Sequence, residues 1–413
     1  MLRNYLLVTL AVMKRNPFHT FISMFGICFT LLVLILLTSF LDHLFGARYP
    51  ELKRSRTLYV FSIEERDSET GFSRKGALSI PFFEKYIRKM KAPEKVALAS
   101  NTFWFSSYQQ EKRLKFSYKY TDPDFWDIMD FKFLAGHPYT WNDIKGNAFG
   151  VVVSESFQKI YYGNEASAIG QTFVMGNKTA TIIGVVEDSP STRVVSSASV
   201  YLPHNMFDDL ADPSEVMGNF NAILLAHVPG DKQLIQVEFE GMLQELPGAV
   251  SGRMTYIAFA DSILEVFSRN MLGDQATSGK TTFFLLIGIF AIMFMVLPAI
   301  NLINININRM MERVSEIGIR RAFGASSKHL VYQFLVENTL ITLMGGGVAL
   351  LLAYLILTII NWNQIYGLNQ LTLNWNVFGI AVLVSLFFGM LSGVYPAWRM
   401  SKLKVTHTLS GIN

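Results

Sequence analysis

The chain has 413 residues, 51% hydrophobic and 16% charged, with a positive mean hydropathy, which is too apolar for one soluble globule and long enough for several parts. Its net charge of +4 divides by position: residues 1–40 and 281–413 hold eleven Lys/Arg against three acids, whereas the stretch between them holds 25 basic against 29 acidic residues. That division follows membrane topology and leaves no basic patch for nucleic acid, the single Cys28 excludes an intramolecular disulfide, and seven scattered histidines lack metal-ligand spacing.

Residues 1–17 are apolar up to Lys14-Arg15-Asn16-Pro17 and suit a helix lying along the membrane interface. Residues 18–41 are too long for a signal-peptide core and lack a small-x-small cleavage site after them, so they are predicted to be an uncleaved first span. Lys14 and Arg15 before it place residues 42–280 outside the cytoplasm.

That exported region alternates strand-like and helix-like stretches. Thr57 to Ile63 is β-rich, Ser79 to Met90 carries Phe82, Phe83, Tyr86, Ile87 and Met90 at helical spacing, and Phe103 to Tyr120 alternates like paired strands. Asp122 is placed to cap a short helix, with Pro123 as its first residue. From about 131 to 204 a β-rich inserted subdomain is expected, with Val151 to Val153 and Thr179 to Val186 as strands around a helical Ser154 to Tyr162. Ile223 to His227 then reads as a strand and Lys232 to Leu246 as an amphipathic helix. The fold expected is an integral membrane α-helical protein with four transmembrane helices and a large mixed α+β exported domain containing an inserted subdomain; the resemblance given below implies that this domain is periplasmic and of two subdomains.

Residues 281–308, 330–360 and 375–397 supply the other three spans, each near or above the roughly 20 residues a bilayer requires. The loop 309–329 between the first two of these carries Arg309, Arg313, Arg320, Arg321 and Lys328 against Glu312 and Glu316, which puts it in the cytoplasm. If helical, it sets Arg309, Arg313, Glu316 and Arg320 on one face and Met310, Val314, Ile317 and Gly318 on another, with Gly324 placed to end it. A helix that only solvates its charges is the simpler reading, but Arg321 falls on the apolar side. The uncharged loop 361–374 faces outward, and the tail 398–413, with Arg399, Lys402 and Lys404, returns to the cytoplasm.

Signs of chemistry are few. Ser278-Gly279-Lys280-Thr281 has the ending of a phosphate-binding loop, but Asp274 stands where the motif requires its first glycine. No Gly-x-Ser-x-Gly, His-Glu-x-x-His or Cys/His arrangement occurs, and the acid pairs Asp122/Asp124 and Asp208/Asp209 read as caps and solvated turns. Glu337, the one acid within the predicted spans, reads either as a snorkelling or polar-paired side chain or as a proton or ion site. Gly345-Gly346-Gly347 offers either a close helix contact or a bend. No catalytic residue, metal ligand or cofactor site is assigned.

Glu316-Ile317-Gly318-Ile319-Arg320-Arg321-Ala322-Phe323-Gly324-Ala325 closely resembles the signature of MacB/FtsX-type ABC transporter permeases. Tyr120 to His137, Val151 to Pro190 and Gly393 to Ser401 are similar to further segments of that family, with His137 where an arginine is usual, so the resemblance covers nearly the whole chain. It implies a permease of the bacterial inner membrane with both termini cytoplasmic, pairing with a second permease chain, identical or paralogous. It implies that Glu316 to Ala325 dock on a cytoplasmic ABC ATPase, a separate subunit that binds ATP and Mg, since only some 17 residues precede the first span. For efflux relatives it further implies a periplasmic adaptor and an outer-membrane exit duct. The work implied is transmission of ATPase motion to residues 42–280, for export or extraction of a substrate; the alternative is an FtsX-like regulator of a periplasmic cell-wall hydrolase. A membrane-anchored exported enzyme or receptor is the remaining class.

Overall fold

The computed structural model describes residues 14, 17–109, 112–146, 149–163, 167–175, 178–207, 212, 214–312, 327–363, 371–376, 378–387 and 390. Two compact units emerge: a helical one, Met1–His43 with Phe283–Ile365 and Asn369–Asn413, and a mixed α/β one, Leu44–Thr282 with Tyr366–Leu368. Helix α1 (Pro17–Phe45) opens the described chain.

In the mixed unit the elements run β1 (Thr57–Val60), β2 (Ile63–Asp67), β3 (Ser73–Leu78), α2 (Ile80–Lys85), β4 (Lys95–Ser100), β5 (Phe103–Gln109), β6 (Lys112–Thr121) and α3 (Asp124–Ile128). They continue with β7 (Phe133–Gly136), α4 (Trp141–Lys145), β8 (Gly150–Ser154), α5 (Glu155–Tyr162), β9 (Thr172–Met175), β10 (Lys178–Val186), β11 (Val200–Pro203) and β12 (Met217–Gly218). The unit closes with β13 (Phe220–Leu225), α6 (Lys232–Gln244), α7 (Pro247–Val250), β14 (Met254–Ala258) and α8 (Ile263–Leu272). Among the described residues the strands form one sheet, in the order β14-β2-β3-β13-β4-β6-β11-β8-β10-β7, with β1 on β13, β12 on β3, β5 on β6 and β9 on β10. Pairing is antiparallel except for β6 with β11 and β8 with β10.

The period of two along each strand decides which core a residue enters. Phe220, Ala222 and Leu224 of β13 join Leu58, Val60, Leu78 and the α6 residues Ile235 and Phe239 on one face. Ile223 and Leu225 turn to the other face, where Tyr59, Ala97 and Ala99 meet Phe125 and Trp126 of α3. The same aromatic layer takes in Val152, Val186 and Tyr201 from β8, β10 and β11, while Val151, Val153, Ile182, Val200 and Leu202 pack beneath Phe157 of α5. Caps fix the helix starts: Ser79 accepts from the amide of Phe82 at 3.1 Å, and Ser154 from that of Phe157 at 3.2 Å. The predicted helix from Ser79 to Met90 is shorter than expected, because Tyr86 (φ −116°, ψ −56°) ends it and a single 3₁₀ turn, Ile87–Lys89, follows.

The helical unit contains α9 (Lys280–Glu312) and α10 (Ser327–Asn363) besides α1. Thr20–Phe45 and Leu335–Asn363 have the length and apolarity to cross a membrane; Lys280–Phe294 and Phe378–Phe387 are shorter apolar stretches. On α10, Ile341, Gly345, Ala349, Ala353 and Leu357 recur every four residues and are buried, whereas Leu343, Leu351, Tyr354, Leu355 and Ile359 stand exposed. A helix apolar on its packed and its outer face suits lipid as the outer solvent. The glycine run makes a close contact at one position: a Cβ on Gly345 would lie 3.2 Å from the Met24 carbonyl and from Ile27, but nothing lies within 4 Å of Gly347. Gly345→Leu is therefore expected to cost roughly 1–3 kcal/mol, the usual penalty of overpacking, seen as a lower thermal midpoint of the full chain in detergent. Gly347→Leu should leave that midpoint unchanged. Glu337 is buried, beside Asn338 and Thr342 in the same helix.

Candidate transmission site

The ten residues predicted to couple to an ATPase, Glu316 to Ala325, lie outside the described residues, bracketed by α9 ending at Glu312 and α10 beginning at Ser327. Asp208 and Asp209 lie outside them as well. Within the mixed unit, buried side chains hold the chain that leaves α1 and the chain that leads into α9.

A helix end leaves its last carbonyls without intrahelical partners, and here arginines supply them. Arg54 donates from Nη1 to the carbonyl of Leu44, in the last turn of α1, and Arg193 donates from Nη1 to the carbonyl of Gly46 at 2.9 Å. Glu51 orients Arg54 and ties it to the segment that carries Arg193. Its Oε2 accepts from Arg54 Nε at 2.7 Å and Nη2 at 2.6 Å, and its Oε1 accepts from the Ser196 hydroxyl at 2.7 Å. Tyr49 adds a bond from its hydroxyl to the Glu187 carbonyl at 3.1 Å, so the β10–β11 connection closes over the chain that leaves α1.

All of these charges are buried: Glu51 is 2% exposed, Arg54 7% and Arg193 1%, and Lys119 from β6 is 2% exposed nearby. Burial holds the Arg193 guanidinium down to about 10, helped by the charge of Arg54. Burial likewise lowers the Lys119 ammonium to about 8 against the pull of Glu51, and its one bond goes to the Ser100 carbonyl at 3.2 Å. Burial pushes the Tyr59 hydroxyl well up, reinforced by Glu51. Three basic groups thus share one carboxylate.

The entry to α9 is tied down separately. Ser262 and Glu265 form a reciprocal cap at the start of α8, and Lys280 at the start of α9 reaches Glu265 at 3.1 Å. Against burial, the Ser262 groups and Lys280 hold the Glu265 carboxyl below its ordinary value. Ser268 donates to the Ser278 carbonyl at 2.7 Å, and Arg269 pairs with Asp261 at 2.7 Å while donating to the Asp274 carbonyl at 2.8 Å. Gly279 has φ +66°, and a Cβ there would meet the Gly273 nitrogen at 2.7 Å. Gly279-Lys280 is thus a turn with an ion-paired lysine.

Exit and entry are also joined to each other. Tyr59 and Asp261 exchange backbone hydrogen bonds of 2.8 and 3.0 Å, and the rings of Phe45 and Phe267 meet edge-on at 5.3 Å. A second ion set centres on the buried Asp122: Arg88 holds Asp122 at 2.7 Å, Asp124 at 3.0 Å and Glu84 at 2.9 Å. Burial pushes the Asp122 carboxyl up to about 7, opposed by Arg88, and Asp122 accepts from the Phe125 amide at 3.1 Å, the capping role read in the sequence.

These features define a class of protein: a mixed α/β unit in one chain with apolar helices, two of which are long enough to cross a membrane. Comparison with known families supplies the particulars. Residues 20–236 match the MacB-like periplasmic core domain and residues 288–405 the FtsX-like permease C-terminal domain. The chain belongs to the MacB/FtsX-type family of ABC transporter permeases. It is 26% identical over 287 residues to the macrolide export ATP-binding/permease protein MacB of Pasteurella multocida, covering 69% of this chain and 41% of that protein. It is 28% identical over 297 residues to MacB of Escherichia coli K12, covering 70% and 42%. The chain thus spans under half the length of these relatives. Among solved structures, the periplasmic region of MacB from Actinobacillus actinomycetemcomitans aligns with a TM-score of 0.36 at 15% identity, covering 51% of this chain and 94% of that one. The extracellular domain of the noncanonic ABC-type transporter YknZ from Gram-positive bacteria aligns at 0.30 and 14%, covering 47% and 98%.

Proposed function

We propose that this chain is the membrane permease subunit of a MacB-like ABC transporter, in which a separate cytoplasmic ATPase, binding ATP and Mg, drives motion of the mixed α/β unit. Four spans (18–41, 281–308, 330–360 and 375–397) in the inner membrane keep both termini cytoplasmic, and two permease chains pair around two ATPases. Residues 42–280 face the periplasm, with 131–204 as a second lobe. Closure of the ATPases pushes Glu316 to Ala325, and the spans carry that displacement outward to export or extract a substrate. The observation that carries this reading is the belt at the helix ends, where Arg54, Glu51 and Arg193 grip the end of α1 and Glu265 grips Lys280.

Arg320→Glu with Arg321→Glu tests it. The double variant should insert normally yet abolish stimulation of a co-purified ATPase, and unchanged stimulation would sink the coupling role. Recovery of a periplasmic amidase or peptidase with the intact chain would redirect the reading to hydrolase control.

A further inference from the structure

We propose that α8 is an interfacial helix, whose exposed apolar side lies in the boundary between the headgroups and the acyl chains of the lipid bilayer. The inference rests on the reading of α1 and α9 as membrane spans. Leu264, Phe267 and Met271 recur at helical spacing along α8, and Leu272 adjoins them at its end. Leu264 is half-buried and the other three are exposed, with the exposed Asn270 as a polar flank. The ionic and hydroxyl side chains of α8 are engaged within the mixed unit: Glu265 with Lys280, Ser268 with the Ser278 carbonyl, and Arg269 with Asp261. The apolar stripe is what the helix leaves to a partner.

The chain on either side of the stripe says what that partner is. The apolar run of α1 stops at Leu41, and Phe45, which closes the helix, lies about 6 Å further along its axis. The ring of Phe267 meets that of Phe45 edge-on at 5.3 Å. At the other end of α8, a Cβ on Gly279 would lie 2.8 Å from the Leu272 carbonyl carbon, so Leu272 abuts the residue before α9. From Phe283 to Ile300 α9 carries no polar side chain, a run about 27 Å long, and Asn301, Asn304, Asn306 and Asn308 follow. That barely fills a hydrocarbon core of about 30 Å, so Phe283 stands at its outer edge and Lys280 among the headgroups. Both points where the chain leaves the bilayer thus meet α8. The charges of α8 are matched in the pairs above, and the exposed Asp274 beyond its end accepts from the Ala276 and Thr277 amides. Insertion therefore draws on apolar contact and needs no anionic headgroup.

The test uses the full chain in phosphatidylcholine vesicles. Cys28→Ala removes its only thiol, and one new cysteine then carries a fluorophore. A probe at Met271→Cys should be quenched more strongly by lipids bearing a nitroxide just below the headgroup than by lipids bearing it at the chain end. Iodide should quench it at least about tenfold less than a probe at Val250→Cys, an exposed site on α7. A probe at Phe284→Cys, exposed on α9, reports the span itself. Lipid quenching at Phe284→Cys, with iodide quenching at Met271→Cys equal to that at Val250→Cys, would overturn the interfacial helix and leave the permease reading standing. Iodide access at both positions would remove the span reading as well. Shelter from iodide at Met271→Cys without lipid quenching would mean that protein covers the stripe, and would equally overturn the proposal.

Discussion

Replacing Glu51 with alanine is expected to cost the mixed unit roughly 3–5 kcal/mol, the range found when one partner of a buried charge set is removed. Its carboxylate is the acceptor for Arg54 and Ser196, and its field is what offsets the buried charges of Arg193 and Lys119. Without it, three buried cations face one another. The readout is thermal unfolding of the full chain in detergent, followed by the fluorescence of buried Trp126, with a fall in midpoint on the order of 10 °C. Glu51→Gln keeps an acceptor without the charge and should fall between wild type and alanine. A midpoint for Glu51→Ala indistinguishable from wild type would mean that the cluster does not hold the junction.

Lys119→Met is expected to act in the opposite direction, raising stability at pH 7 by roughly 1–4 kcal/mol, as buried ions replaced by apolar groups of similar volume do. In the unfolded chain the ammonium titrates near its ordinary 10.5, and in the folded chain at about 8. Between those values the unfolded chain binds the proton more tightly, so wild type loses stability as the pH falls from 10.5 to 8. Below about 8 both states are charged and the penalty is complete. The advantage of the methionine variant should thus be largest at and below neutrality and shrink as the pH rises above 8. A variant less stable than wild type at pH 7 would show that the ammonium is a structural cation.

The regular parts of the chain were legible where periodicity and covering agree. Val151 to Val153 and Thr179 to Val186 do form strands around the Ser154-capped helix, and Phe103 to Tyr120 does form a hairpin. The long apolar run at 18–41 lies within α1. The belt was not legible, and β6 shows why. Leu114, Phe116, Tyr118 and Tyr120 face one core, so alternation assigns Lys115 and Lys119 alike to solvent. Lys115 does lie exposed over the ring of Trp104, but Lys119, on the same side of the strand, is covered. Arg54 and Arg193 sit in segments without periodicity, and only the chain's return from β10 to β11 brings Arg193 to Gly46. Likewise β14 and α8 escaped the sequence reading, because Met254 to Ala258 is too short to stand out and α8 announces itself chiefly through its Ser262–Glu265 cap. The decamer at Glu316 was read through a resemblance, which is a different kind of warrant from periodicity, and it lies outside the described residues.

One consequence follows from the way α1 is held. A helix fastened to a domain through a single bond behaves as a swivel: it can pull, but turning about its own axis does nothing beyond the joint. Leu44 and Gly46 are gripped by different arginines, one from the segment just after the helix and one from the β10–β11 connection. Two grips at different points around the helix end deny the swivel. Leu44 and Gly46, both within the mixed unit, are thus held against turning as well as against pulling.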